Sequence, residues 1–210
     1  MSRYLKLICF VIIILISSIS IFAKDSFYGV GYTIETDLHG YVGTVRFGST
    51  SEHSKLAFHA LNKKFELVIA TKTAKSLDFI RLFKGELEYK SNDDGFELIT
   101  GDSYGLEFSS TQPVPLGGVN LYWGYFTGIK IYNWDAFVWG DAINGKHWMI
   151  PGGVDIGIEI PASSLLFTIG GKGGFAFGTM TLDNLTTGEA LKKISFGYEH
   201  QIYVTLALKL

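Results

Sequence analysis

The sequence predicts an all-β fold, a single antiparallel up-and-down transmembrane β-barrel of about eight to ten strands. Long segments alternate between bulky apolar residues and polar or small residues, which is the pattern of strands with two different faces. A composition of 47% hydrophobic and 15% aromatic residues excludes a disordered chain. Many of the 25 glycines fall inside the alternating segments, where they would weaken a strand of a soluble protein.

The N-terminal segment predicts export. Two basic residues, Arg3 and Lys6, precede an apolar run over residues 7–16, and small residues follow, as in a secretory signal peptide. We therefore expect residues 1–23 to be a signal peptide and residues 24–210 to form one transmembrane β-barrel domain.

Cleavage of that segment after Ser20 or after Ala23 would fit the small residues around both positions. An uncleaved membrane anchor is the alternative, although the apolar part is at the short end of what spans a bilayer. The single cysteine, Cys9, lies in the same segment, so the exported domain would contain no disulfide.

Alternating segments follow one another along the rest of the chain. In the first of them, Tyr28, Val30, Tyr32 and Ile34 share one face. The clearest segments are residues 26–35, 41–49, 119–132, 154–160 and 194–210. Residues 54–90 are more ambiguous, because their start could begin a helix, but their alternation favours strands.

Clusters of turn-forming residues punctuate these segments. They are "TDLHG", "SNDDG", "INGK", "IPGG" and "LDNLTTGE". The "IGGKGG" segment could suggest a phosphate-binding loop, but Lys172 is followed by Gly173 and a further strand-like segment, whereas that loop needs Ser or Thr and a helix. We predict a hairpin turn there.

Alternation alone fits a soluble barrel or sandwich as well as a membrane barrel, because the two differ in which face is apolar. The last alternating segment is much longer than the five or six residues typical of a soluble strand. All four tryptophans, Trp123, Trp134, Trp139 and Trp148, fall in one aromatic part of the chain, as is typical of strand ends at a membrane–water interface. These features favour the membrane barrel.

The last strand places five apolar residues on one face, Ile202, Val204, Leu206, Leu208 and Leu210. It resembles the closing strand of bacterial outer-membrane β-barrels. The resemblance implies that this strand is the insertion signal for the barrel-assembly machinery and that the protein lies in the cell outer membrane after signal-peptide export. That family usually ends in Phe or Trp, whereas this chain ends in Leu.

In size, composition and strand layout the chain is also similar to small spirochaetal outer-membrane surface proteins. Some members of that group bind host ligands. The similarity implies a surface-exposed protein with a binding function.

The residues give no support for catalysis or for a cofactor. No two of the five histidines stand at metal-ligand spacing, and the neighbours Glu199 and His200 point to opposite faces of a strand. We therefore predict no enzyme, no catalytic residue, no metal and no cofactor. A net charge of −2 argues against nucleic acid as a partner.

Two acidic residues of one strand, Asp155 and Glu159, share its polar face and would face the lumen. We expect them to pair with basic residues, for example Arg46 or Lys130, and so to plug the interior. Lining a pore is the alternative role for these carboxylates.

The strongest candidate for ligand binding is an aromatic and charged segment. Its candidate residues are Trp134, Asp135, Trp139, Asp141 and Trp148. Such a mixture is typical of binding hot spots, although an interfacial aromatic ring or loop packing would give the same pattern.

We predict that surface loops mediate adhesion to, or binding of, an extracellular or host ligand, with outer-membrane lipid and the barrel-assembly machinery as further partners. The alternatives are a small solute-conducting pore and a soluble periplasmic barrel that holds an apolar ligand.

Overall fold

The computed structural model describes residues 25–41, 45–47, 51–53, 57–91, 96–138 and 140–209. The predicted signal peptide, Trp139 and Leu210 lie outside these ranges. The side chain of Arg46 is also outside the described part of the structure.

Strands make up almost all of the described chain. They are β1 (Asp25–Tyr41), β2 (Val45–Phe47), β3 (Ser51–His53), β4 (Ala57–Lys72), β5 (Leu77–Ser91), β6 (Phe96–Leu116), β7 (Val119–Val138), β8 (Asp141–Pro161), β9 (Leu165–Asn184) and β10 (Ala190–Lys209). Eight of them close into an antiparallel barrel in the order β1-β10-β9-β8-β7-β6-β5-β4. Strands β2 and β3 pair with each other as a separate hairpin. The predicted up-and-down barrel is confirmed, with eight strands.

The barrel closes where its first and last strands meet. Strand β10 pairs with β1 over most of its length, for example Tyr28 with Leu208 and Ile34 with Ile202. The other side of β1 pairs with β4. Because a closed ring has no unpaired edge, its backbone groups bond one another and need no water.

The two ends of the barrel differ. At the lower end, which holds residues 25 and 209, short turns at 73–76, 117–118 and 162–164 join the strands. At the upper end lie the β1–β4, β5–β6, β7–β8 and β9–β10 connections. Three glycines in the turns have positive φ, 65° at Gly117, 89° at Gly140 and 75° at Gly188, a conformation that glycine adopts without strain.

Several turns predicted from the sequence are wrong. The "TDLHG" segment lies inside β1, "INGK" and "IPGG" lie inside β8, and "IGGKGG" lies inside β9. The glycines make room in a narrow interior instead of bending the chain: a Cβ on Gly170 would lie 2.5 Å from Tyr203 Oη. The "LDNLTTGE" turn is confirmed as the β9–β10 connection.

The barrel is apolar outside and polar inside. Exposed and buried residues alternate along β10, so that Ile202 is 70% exposed while Thr205 is 0% exposed. The exposed positions of the other barrel strands also carry mainly aliphatic and aromatic residues, whereas most of the buried charged residues point inward. This polarity is the reverse of a soluble barrel and is that of a transmembrane barrel. None of the described segments forms a helix long and apolar enough to span a membrane.

Candidate functional site

An apolar layer closes the lower part of the lumen. Its side chains are 0–4% exposed and come from strands all around the barrel. They are Phe27, Val68, Ala70, Leu77, Phe79, Tyr122, Leu166, Tyr203 and Ala207. The lower part of the interior is therefore packed like a protein core.

A buried cation, Arg81, stands above the apolar layer. Its guanidinium carbon lies 4.1 Å from the centroid of the Phe79 ring and 4.5 Å from that of Tyr203. Two carboxylates face it: Glu66 Oε2 lies 3.4 Å from Nε, and Asp155 Oδ2 lies 4.0 Å from Nη1. Cation–π contacts and two opposite charges together compensate the lost hydration of the guanidinium.

A network of six charged side chains fills the middle of the lumen. This central ion network consists of Glu35, Lys64, Glu107, Lys130, Lys172 and Glu199, each 0–4% exposed. Three ammonium groups face three carboxylates, so the network is balanced in charge. Balance of this kind is what makes buried ions tolerable in a low-dielectric interior.

Each ammonium group of the central ion network contacts at least one carboxylate. Lys64 Nζ lies 2.6 Å from Glu35 and 3.0 Å from Glu107. Lys130 binds Glu35 and lies 2.8 Å from Glu199. Lys172 Nζ lies 2.5 Å from Glu107. These contacts tie six of the eight barrel strands together across the lumen, because the partners come from β1, β4, β6, β7, β9 and β10.

The two carboxylates singled out in the sequence do face the lumen, and their expected pairing with basic residues is confirmed with different partners. Asp155 faces Arg81 and accepts a hydrogen bond of 2.5 Å from Tyr203 Oη. Glu159 binds Lys72 at the lower end. Lys130 is in the lumen but belongs to the central ion network.

A histidine and a serine meet in the upper part of the lumen. His147 Nε2 lies 2.5 Å from Ser195 Oγ, and the Tyr132 ring packs edge-on against the imidazole. A hydroxyl beside an imidazole is the arrangement of a nucleophile and its base. Here His147 is 0% and Ser195 1% exposed, so neither water nor a substrate reaches the pair in this conformation.

Apart from Asp155, Glu159 and Lys130, sequence reasoning did not find these lumen residues. Lys172 was assigned to a turn, and Ser195 and His147 are 48 residues apart in the sequence. The sequence does contain one indication of them, because charged residues at every second position of a strand share a face, as Lys64 and Glu66 do on β4. That signal shows which residues face the lumen and not which ones meet there.

The predicted ligand-binding residues do not share one surface. Trp134 points into the lumen and is 2% exposed, whereas Trp148 points outward and is 38% exposed. Asp135 and Asp141 lie at the upper rim, where Asn144 and Asn184 donate hydrogen bonds of 2.7 Å and 2.8 Å to them. Trp139 is outside the described residues.

A band of outward aromatic side chains lies toward the upper end of the barrel, on β6, β8, β9 and β10. It contains Tyr104, Trp148, Phe175, Phe177, Phe196 and Tyr198. Phe175 stacks on Phe196 with ring centroids 5.6 Å apart. Toward the lower end, Tyr28, Trp123 and Tyr125 are also exposed. Between the two levels the outer surface is mainly aliphatic, as at Ile202, Val204 and Leu206 of the last strand, and it also carries Tyr32 and Phe65.

The described residues contain no group of three or more His, Cys, Asp or Glu side chains that could hold a metal ion.

Comparison with solved structures finds proteins whose structures are weakly similar to this one. The chain is similar to Neisserial surface protein A, with a TM-score of 0.45 and 8% identity over 88% of this chain and 97% of that chain. It is similar to the outer membrane protease OmpT from Escherichia coli, with a TM-score of 0.45 and 6% identity over 90% of this chain and 98% of that chain. Likenesses at this level support no inference about activity or about the role of any residue.

No protein-family model matches the sequence, and no curated protein matches it.

Proposed function

We propose that this chain is an integral outer-membrane β-barrel that conducts no solute and performs no catalysis, and that its upper end binds an extracellular or host ligand. The observation that carries the proposal is the polarity of the barrel together with its filled lumen. An apolar exterior between two levels of aromatic residues suits a bilayer. A lumen occupied by packed rings and the central ion network leaves ligand binding to the outside of the molecule.

The lengths of the strands support a role for the upper end. A membrane-spanning strand needs about nine to eleven residues. Strands β6 to β9 contain 20 or 21 residues each, so roughly half of each strand extends beyond the bilayer. We infer that the protruding wall, and not only the loops, carries the binding surface. Its exposed apolar side chains include Phe137 at 44% and Ile194 at 54%, and Leu185 in the adjoining β9–β10 turn is 65% exposed.

The membrane part of the proposal is tested by electrophoresis of detergent-extracted protein, boiled and unboiled. A folded transmembrane barrel is expected to need detergent for extraction and to change mobility on boiling. Protein that appears in the periplasmic wash without detergent would contradict the proposal and would favour the soluble barrel.

The closed lumen is tested by reconstitution in planar bilayers. We expect no discrete conductance steps from the folded protein. Regular conductance steps that are measured in salt solution and disappear after heat denaturation of the protein would contradict the proposal. They would favour the small solute pore.

The binding part is tested by displaying the protein on cells and measuring adhesion to a panel of immobilised extracellular-matrix proteins and glycans. Replacement of Phe137 and Leu185 by serine is expected to reduce adhesion, because each removes an exposed apolar anchor at the rim. Trp123→Phe at the lower end is the matched control and should leave adhesion unchanged. Adhesion that is equal with and without the displayed protein would contradict a binding function.

A further inference from the structure

The outer surface has a groove between the lower and upper aromatic levels. It lies across β1, β4, β5, β6 and β10 and has a volume of about 840 Å³. Its walls are mainly apolar side chains that point away from the barrel, among them Val30, Tyr32, Phe65, Leu67 and Leu82. Tyr32 and Phe65 pack edge to face with ring centroids 5.3 Å apart. The groove has the lining expected for an acyl chain.

A polar mouth continues the groove toward the upper end. This second cavity, of about 360 Å³, shares Tyr32, Phe65 and Lys84 with the groove and adds polar residues. The additional residues are Lys63, Gly85, Glu86 and Asp102. The two cavities therefore form one amphipathic site, apolar below and charged above.

The mouth holds charges of both signs in a defined order. Lys84 and Glu86 are two residues apart on β5 and so point to the same side, roughly 7 Å apart along the strand. Glu86 and Asp102 are directly opposite each other on β5 and β6. Two like charges at paired positions are unfavourable unless a cation lies between them.

Three of the charged side chains in the mouth are also free to bind a ligand. Within the described residues, neither Lys84, Glu86 nor Asp102 forms an ion pair, and all three side chains are exposed. Lys63 on β4 stands directly opposite Glu86, but its ammonium is engaged by Glu88 at 2.9 Å. The ring of Tyr104, 5.8 Å from Lys84 Nζ, stands at the border between mouth and groove.

We propose that the groove and its mouth bind one phospholipid of the phosphatidylethanolamine class. An acyl chain would occupy the groove, Lys84 would bind the phosphate, and the carboxylates of Glu86 and Asp102 would receive hydrogen bonds from the primary ammonium. A lipid with phosphate and ammonium matches the order of charges in the mouth. A purely anionic headgroup would meet two carboxylates, and a quaternary ammonium has no N–H to donate.

This inference rests on the proposed membrane insertion. It differs from general contact with lipid, because it assigns one lipid to one place on the barrel and predicts discrimination by headgroup.

The test is native mass spectrometry of the folded full-length protein, incubated in detergent with equal amounts of phosphatidylethanolamine, phosphatidylglycerol and phosphatidylcholine of the same acyl chains. The wild type is expected to retain one phosphatidylethanolamine in preference to the other two. In a variant with Glu86→Gln and Asp102→Asn, that preference should fall by about tenfold, because two charge-assisted hydrogen bonds are weakened. Lys84→Met should reduce retention of both phosphatidylethanolamine and phosphatidylglycerol.

A variant with Asp183→Asn and Lys192→Met, which changes two exposed charges on β9 and β10, is the matched control and should bind as the wild type does. Boiled and unboiled electrophoresis of each variant verifies the barrel independently, so loss of the lipid preference is distinguishable from failure of membrane folding. Equal retention of the three lipids, preference for phosphatidylglycerol, or a second copy of the chain in place of lipid would each overturn the proposal.

Discussion

At the scale of single residues, the stability of the filled lumen depends on a few charged side chains that each pair with several others. Lys130 is the clearest case, since its ammonium binds Glu35 and Glu199 and lies 3.6 Å from Glu107. Removal of one partner from a buried ion network leaves the remaining charges without compensation. The stability of the barrel should therefore be sensitive to such positions and insensitive to exposed charges.

Replacement of Lys130 by methionine is expected to destabilise the folded barrel by about 3–5 kcal/mol, because carboxylates remain buried without their cation. The measurement is the free energy of unfolding in a denaturant series with the protein in lipid vesicles. Lys146→Met, at an exposed position on β8, is the control and should change the free energy of unfolding by about 0.5 kcal/mol or less. Equal effects of the two changes would show that the central ion network does not stabilise the barrel.

A second residue-scale prediction concerns the space at Gly170. A Cβ there would lie 2.5 Å from Tyr203 Oη and 2.9 Å from the Ile156 carbonyl oxygen. Gly170→Ala is expected to destabilise the barrel by about 1–3 kcal/mol through overpacking. At Gly152 a Cβ would meet just one neighbour, at 3.8 Å, so Gly152→Ala should be neutral or slightly stabilising in the same unfolding measurement. A neutral Gly170→Ala would contradict the packing described for this part of the lumen.

At the scale of a strand, β10 combines closure of the barrel with contact to lipid. Ile202 lies on its outer face between the lower and upper aromatic levels, whereas Ile194 lies on the same face nearer the upper end, beyond Phe196 and Tyr198. The same substitution should therefore place the new side chain in the bilayer at position 202 and in water at position 194.

Arginine in place of Ile202 is expected to reduce the folded, membrane-inserted fraction, at an energetic cost of about 2–4 kcal/mol near the middle of the bilayer. Arginine in place of Ile194 should cost about 1 kcal/mol or less. Boiled and unboiled electrophoresis after refolding into vesicles measures both fractions. Similar losses for the two variants would indicate that depth in a membrane does not determine the effect.

The strands illustrate what alternation can and cannot reveal. Alternation predicted the all-β class and the faces of β1 and β10, because the period-two direction of side chains along a strand is a local property. Turn composition, by contrast, placed turns wrongly in β1, β8 and β9, because "TDLHG", "INGK", "IPGG" and "IGGKGG" are parts of long strands. Glycine next to a bulky lumen residue in another strand looks the same in sequence as glycine in a turn.

The candidate site was harder to predict than the fold. Contacts such as Lys64 with Gln201 join residues 137 positions apart, and they depend on barrel register and not on local sequence. The two lumen carboxylates, Asp155 and Glu159, were found because both lie on a cleanly alternating strand, but their partners Arg81 and Lys72 come from β5 and β4. The position of a residue in the alternation shows which face of the strand it lies on, whereas closure of the barrel determines which residues it contacts.

At the scale of the whole molecule, the account depends on a barrel that is apolar outside and filled inside. In the function proposed above, lipid surrounds the barrel, the lumen is closed, and the upper end binds the ligand. The tryptophans provide native probes of that arrangement, because Trp123 points outward with 56% exposure while Trp134 points inward with 2% exposure.

Quenching of single tryptophans by brominated acyl chains distinguishes a barrel with lipid outside and a filled lumen from the reverse arrangement. In two variants, each retaining only Trp123 or only Trp134 with the other tryptophans replaced by phenylalanine, the protein is folded into vesicles of brominated phospholipid and its fluorescence is measured. The account predicts strong quenching of Trp123 and little quenching of Trp134. Quenching of Trp134 with no effect on Trp123, or no binding of folded protein to the vesicles, would contradict it.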